Sequence, residues 1–245
     1  MLKFFRKIRR KLINESNLKR YLIYAIGEIL LVMIGILLAL QVNNLNEEKK
    51  SRIQANLYKE KIIADLVADT IMINNLIIKS EKAVRSIQSY FDYFDKGGIS
   101  INALIDSSTN VKWERYRYLP INHTLIDLKS SGKIGLFSEE KRKSLFQLTR
   151  QQEYLQSIID IRVKERNKYI SERNKYLDFD PSENNFYEIV QVIQSEDSKI
   201  KGLLQQHYVF KELLGIYKIM ISFGNSIKES EIKCLELLNE NNIMN

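Results

Sequence analysis

The chain has 245 residues and a formal net charge of +8, which on its own suggests a nucleic-acid partner. The charge is confined to one end, because residues 1–20 hold eight Lys/Arg and one acid, and the other 225 residues carry a net +1. The near-neutral remainder argues against nucleic-acid binding. The single cysteine, Cys234, excludes an intramolecular disulfide and a zinc–thiolate cluster.

Residues 1–20 are predicted to be a basic cytoplasmic segment. A basic block directly before an apolar run sets membrane topology and attracts anionic lipid headgroups. Met1, Phe5, Ile8 and Leu12 fall on one helical face, which favours a short amphipathic helix on the inner leaflet; a disordered basic tail is the alternative. The predicted topology and lipid-contact residues are Lys3, Arg6, Lys7, Arg9, Arg10 and Lys11.

Residues 21–42, YLIYAIGEILLVMIGILLALQV, form a nearly continuous apolar run. As a helix, this run extends over roughly 33 Å, enough to cross a bilayer core. It is longer than the core of a signal peptide and no A-x-A site follows, so we predict an uncleaved signal anchor. Basic residues are more numerous before the run than after it, which places the N-terminus in the cytoplasm and the rest of the chain outside.

One acid, Glu28, interrupts the apolar run. The residues Ala25, Glu28, Val32, Gly35 and Ala39 are spaced three and four apart, so they share one helical face with the smallest residues of the span. Small residues let helices approach closely, and an acid within a membrane usually faces protein. We predict a helix–helix contact with a second copy or a partner; a protonated or snorkelling acid is the alternative.

Three stretches resemble those of an uncharacterised family of bacterial single-pass membrane proteins. They are LKFFRKIRRKL, YLIYAIGEILLVMIGILLALQVNNLNE and, more briefly, LKSSGKIGL at Leu128–Leu136. The resemblance implies a bacterial inner-membrane protein with a helical domain on the periplasmic side. It implies no reaction, because the family has none assigned.

Past the membrane, a polar stalk is predicted at residues 43–60 and a helical bundle at residues 61–245. A heptad pattern with eight apolar residues in ten predicts a long helix that ends at Gly97 and Gly98, with its seam at positions 63, 66, 70, 73, 77, 80, 84, 87, 91 and 94. The segment 99–120 is less regular, and its VKWERYRYLP stretch is compatible with a short strand or an extended loop.

The rest of the chain is predicted to be helical. A short helix begins at Asn122 and ends in an interhelical turn, and a long helix runs from Ser138 to about Tyr176. A short helix near 186–193 precedes a long one at about 199–239, in which Gly224 offers a place for a bend. The turn residues are Ser130, Ser131, Gly132 and Gly135, with glycines that permit positive φ.

The predicted fold class is therefore all-α. A single N-terminal transmembrane helix is followed by an extracytoplasmic bundle of three long and two or three short helices.

The sequence shows no catalytic constellation. The two histidines, His123 and His207, lack partners at metal-ligand spacing, and His207 lies in an apolar stripe that favours a bundle-facing position. Ser130 and Lys133 match the S-x-x-K string of acyl-enzymes, but its companion motifs are missing and Gly132 would break the required helix. We expect no enzyme activity, no cofactor and no metal.

The most consistent function is that of a membrane-anchored interaction or assembly module in the bacterial cell envelope, with a protein partner or a homo-oligomer. An extracytoplasmic ligand-sensing module is the first alternative. It would have to signal through a membrane partner, because a cytoplasmic segment of 20 residues is too small for an output domain. A cell-envelope hydrolase is the second alternative, and it would need catalytic groups that the sequence does not show.

Overall fold

The computed structural model describes residues 18–114, 117–177 and 195–240. These residues form helices joined by turns and coil, with no strand among them, so the all-α prediction is confirmed for this part of the chain. The helices are α1 (Leu18–Phe94), α2 (Ile101–Thr109), α3 (His123–Ser130), a 3₁₀ turn (Lys133–Leu136), α4 (Glu139–Arg173) and α5 (Glu196–Asn239). The basic residues from Lys3 to Lys11 and the predicted short helix near 186–193 lie outside the described residues.

The chain divides into two compact units, Met1–Leu57 and Tyr58–Asn245. In the first unit, α1 carries an apolar run whose large side chains from Leu22 to Val42 are all at least half exposed. Within the described residues, α1 is the one helix that is long and apolar enough to cross a membrane, judged by length and composition. The prediction of one membrane-spanning helix near the N-terminus is consistent with this arrangement.

In the second unit, α5 runs antiparallel to α1. Thr70 of α1 donates a hydrogen bond to Glu231 of α5. Further along α1, Tyr90 packs edge-on against Phe210, which precedes Glu231 in α5. The two helices therefore run in opposite directions along a shared core.

The helix α4 also runs antiparallel to α5, and so runs parallel to α1. Near the start of α4, Ser144 contacts Cys234 at 3.1 Å. At the end of α4, Arg173 donates to Gln206 at 2.8 Å. A parallel connection needs a crossover, because the chain must return from the end of α1 to the start of α4.

The residues between α2 and α3 supply that crossover and lie against α1. The backbone N–H of Lys112 donates to Ser86 near the end of α1 (2.8 Å), and that of Thr124 donates to Asp65, 21 residues earlier in the same helix (2.9 Å). The crossover thus runs along α1 in the opposite direction to that helix. The segment 99–120 contains the helix α2, which the sequence analysis did not predict, and the described residues after it are irregular rather than a strand.

The buried face of α1 shares every second position with the predicted seam. At the positions in between, it includes the residue one position earlier in the chain. The buried positions that alternate by four and three are 62, 66, 69, 73, 76, 80, 83, 87 and 90. Positions 66, 73, 80 and 87 were predicted, and the predicted Ile77 is buried beside Leu76, but Asp69 and Ala83 are buried where Thr70 and Val84 were expected. Tyr58, assigned to the polar stalk, is also buried.

Local chain signals explain most helix boundaries. The glycines after α1, Gly97 and Gly98, have φ of 68° and 66°, which fits the predicted stop. The Ser138 hydroxyl accepts the Lys141 backbone N–H and begins α4, as expected. Ser195 begins α5 in the same way, three residues before the predicted start.

Candidate functional site

A buried polar cluster lies in the centre of the second unit, and Asp69 connects its members. Asp69 is fully buried. Its Oδ2 accepts hydrogen bonds from the Tyr118 hydroxyl (2.6 Å) and from Gln152 Nε2 (2.9 Å), and its Oδ1 accepts one from the Ile121 backbone N–H (2.9 Å). One carboxyl group of α1 is therefore bound to the crossover and to α4. Three donors on two elements hold this carboxyl group in place.

Glu231 of α5 completes the cluster as a second acid. It is also fully buried and lies beside Asp69, and Thr70 Oγ1 donates to its Oε2 at 2.9 Å. Burial, with the adjacent Asp69, raises the pKa of Glu231 to about 9, so its carboxyl group is protonated at neutral pH. Its Oε1 has no hydrogen-bond partner, which suits a protonated carboxyl group.

The cluster is closed to solvent. Asp69, Glu231, Tyr118 and Gln152 are all no more than 5% exposed. Burial, together with Asp69, raises the pKa of Tyr118, so its hydroxyl stays a donor. Such a network joins α1, the crossover, α4 and α5 in one arrangement. In the described part of the chain, these groups are closed to solvent and connect the helices across the core.

Cys234 lies one helical turn after Glu231 and is buried as well. Its Sγ is 3.1 Å from the Ser144 hydroxyl. Burial raises the pKa of this thiol, which keeps it protonated and unreactive. Among the described residues, no group of three His, Cys, Asp or Glu side chains is placed to hold a metal ion.

His207 lies among aromatic rings towards the other end of the bundle, as its place in an apolar stripe suggested. Its ring centroid is 4.8 Å from those of Phe91 and Phe94 and 6.4 Å from that of Tyr90. Burial lowers the pKa of His207, which favours the neutral ring at pH 7. These contacts are those of a half-buried residue packed at the edge of the core.

The predicted membrane-helix face lies along the first part of α1. Its residues are half-exposed (Ala25 and Glu28) or exposed (Val32, Gly35 and Ala39). A Cβ added to Gly35 would meet nothing within 4 Å. Val32, Gly35 and Ala39 are therefore not covered by the described part of the chain.

The predicted interhelical turn follows α3 directly. Ser130 is the last residue of α3, Ser131 caps its C-terminus, and Gly132 adopts φ 71°. Gly135 lies within the 3₁₀ turn and, unlike Gly132, is not at positive φ. Of these two glycines, Gly132 is thus the one whose backbone conformation favours glycine.

The S-x-x-K string does not form a catalytic pair. The Ser130 hydroxyl donates to the Asp127 carbonyl oxygen at 3.1 Å, within its own helix. Lys133 Nζ instead approaches the Tyr58 hydroxyl at 3.4 Å and lies over the Tyr58 ring. The two side chains therefore serve local packing.

The sequence analysis missed the acid pair. Asp69 and Glu231 each stand at a core position of a helical stripe, where an apolar residue is the usual occupant. An acid at such a position, with a second acid in another helix, is a weak signal that pattern reading passes over.

Comparison with protein-family models finds no match for this chain. Comparison with curated proteins and with solved structures likewise finds no match. The resemblance of the N-terminal stretches to a family of bacterial membrane proteins therefore stays an expectation, and the arguments for function rest on the residues themselves.

Proposed function

We propose that this protein is a membrane-anchored helical module that acts by binding protein in the bacterial cell envelope, either a partner or a second copy of itself. The observation that carries the proposal is the helix α1. It holds an exposed apolar run of membrane-spanning length and, further along, the buried seam of the bundle. One helix thus ties a folded unit to a bilayer.

The distribution of polar groups supports a binding role over a chemical one. The buried acids lie beside each other and are bound to donors inside the bundle, so they are not available to a substrate. The surface of the bundle, by contrast, keeps large aliphatic side chains exposed on two of its long helices, as in Ile71 (59% exposed) and Ile161 (61%). Exposed apolar side chains of this kind suit protein contacts.

The orientation follows from the charges. Basic residues before the span would stay in the cytoplasm and contact anionic lipid, and the unit Tyr58–Asn245 would be periplasmic. A C-terminal alkaline phosphatase fusion to the full chain is expected to be active, because that enzyme needs the periplasm. A fusion that is inactive while a cytoplasmic reporter at the same position works would reverse the orientation.

Protein binding is tested by crosslinking the full-length chain in its membranes and purifying it in mild detergent. The expected result is a homo-oligomer or a stable partner. A monomer with no partner would refute the proposal.

The face with Glu28 is the proposed contact within the membrane. Glu28→Leu is expected to weaken association while leaving insertion intact, because it removes the one polar side chain of that face. Leu30→Ala, on the far side of the same helix, is the matched control and should leave association unchanged. Unchanged crosslinking in Glu28→Leu would sink this assignment.

A further inference from the structure

In the unit Tyr58–Asn245, the outward side of α1 carries three apolar residues seven positions apart. They are Ala64, Ile71 and Ile78, all exposed, with Ile71 at 59% and Ile78 at 42%. We call them the central column. They lie on the opposite side of α1 from the buried seam, because the helix α5 and the crossover cover the seam side. Nothing in the described bundle accounts for apolar residues at this spacing.

Two further columns flank the central column, one on each side. The first holds Glu60, Val67, Asn74 and Glu81, and the second holds Lys61, Ala68, Asn75 and Lys82. Each member of the second column follows a member of the first by one residue. The two columns therefore match in position along the helix and in chemistry. Each end has an acid beside a base, and between the ends lie one apolar pair and one amide pair.

A second copy of α1, parallel and in register about a two-fold axis, would place the first column of one helix against the second column of the other. At the two ends, Glu60 would meet Lys61 and Glu81 would meet Lys82 of the other copy. Between them, Val67 would meet Ala68, whereas Asn74 is half-buried and its Oδ1 accepts a hydrogen bond from Lys228 Nζ of α5 (2.9 Å), so it stays with its own bundle. The central isoleucines would meet their own counterparts, so the charged and apolar layers of the contact are complementary.

An antiparallel pair centred on Ile71 would have the opposite electrostatics. Each column would then face itself, so Glu60 would lie near Glu81 and Lys61 near Lys82 of the other copy. Like charges directly across a contact disfavour the pairing and help to select a partner. The charge pattern therefore favours the parallel orientation, which is compatible with two copies anchored in the same membrane.

We propose that the outward side of α1 is a homodimer interface in which two copies pair in parallel through Ala64, Ile71 and Ile78. The inference rests on the proposed function, since it takes the common membrane anchor as the reason for the shared direction. It goes beyond that function by naming the partner, the surface and the register.

Cysteine crosslinking of the full-length chain in membranes tests the register. Ile71→Cys should give a disulfide-linked dimer on mild oxidation, because the two-fold axis brings residue 71 against itself. Ile161→Cys is the matched control, since it is an isoleucine of α4 with nearly the same exposure, 61% against 59%. The wild-type chain shows the background from the buried Cys234.

Charge reversal tests complementarity in the Ile71→Cys background. One tagged chain carries Lys61→Glu with Lys82→Glu, and a differently tagged chain carries Glu60→Lys with Glu81→Lys. Each chain alone should lose about tenfold in dimer yield, because like charges then line the contact. Co-expression should restore crosslinking as a mixed dimer only.

The outcomes separate this inference from the broader proposal. Equal crosslinking at positions 71 and 161, or charge-reversed chains that dimerise as well as the parent, would overturn the homodimer interface. A crosslink from residue 71 to a protein of different mass would overturn it too, while leaving the membrane-anchored binding module standing. A chain that forms no crosslink and purifies as a monomer without a partner would overturn both.

Discussion

The acid pair makes the stability of the bundle fall as the pH rises, and a single substitution can remove this dependence. Glu231 has an ordinary pKa of 4.5 and a folded-state pKa of about 9. Between these values the folded chain holds a proton on Glu231 that the unfolded chain lacks. The stabilisation from this group is complete below pH 4.5 and is lost as the pH rises to 9. The slope is about 1.4 kcal/mol per pH unit, or about 4 kcal/mol between pH 5 and pH 8.

Glu231→Gln is the informative change. The amide has the shape of the protonated carboxyl group, so its nitrogen can donate to Asp69 and its oxygen can accept from Thr70. It does not titrate, so the contribution of this site to the slope should vanish. If the two proteins are similarly stable at pH 5, the variant should be the more stable one at pH 8.

Urea unfolding of the full chain in mild detergent provides the measurement. The sole tryptophan, Trp113, packs against the core of the bundle beside Arg166, so its fluorescence reports unfolding of that unit. The difference in unfolding free energy between wild type and Glu231→Gln isolates residue 231, because all other titrating groups are common to both. Parallel pH profiles for the two proteins would refute the interpretation that Glu231 is protonated in the folded chain.

Two glycine comparisons test packing and backbone conformation with the same fluorescence assay. Gly224→Ala should destabilise the bundle by about 1–3 kcal/mol, since its Cβ would lie 2.9 Å from Ile77 Cγ1. In the control Gly215→Ala, in the same helix, the added Cβ meets nothing within 4 Å, so this change should be neutral or stabilising. Equal effects of the two changes would contradict the close approach at Gly224. Gly132→Ala should cost about 1–2 kcal/mol because of its φ of 71°, while Gly135→Ala should cost less, and a neutral Gly132→Ala would contradict a required left-handed residue.

Features that depend on a few consecutive residues were predictable from the sequence. The apolar run at 21–42, the capping serine Ser138 and the glycine pair after α1 each act through near neighbours, and each lies where the sequence analysis placed it. The helix α2 was missed because nine residues with one capping serine, Ser100, give too short a pattern for periodicity to detect.

Gly224 illustrates a feature that no local pattern could reveal. The sequence analysis considered a bend there, because glycine weakens a helix. The helix α5 instead runs through Gly224 without interruption, and the missing Cβ makes room for Ile73 and Ile77 of α1. The reason for this glycine lies in a helix almost 150 residues earlier in the chain, and only the fold brings the two together.

The displaced seam of α1 and the acid pair have the same explanation. By hydropathy alone, the predicted face, with Thr70 and Val84, is more apolar than the observed one, with Asp69 and Ala83. The observed face is nevertheless the buried one, because Asp69 accepts hydrogen bonds from the crossover and from α4 and lies beside a protonated acid on α5. If α1 rotated by one residue, its apolar contacts would largely survive, but these buried polar groups would lose their partners. An unpaired buried polar group costs about 1–3 kcal/mol. The cluster therefore disfavours the rotated arrangement of α1 that the apolar pattern alone would permit.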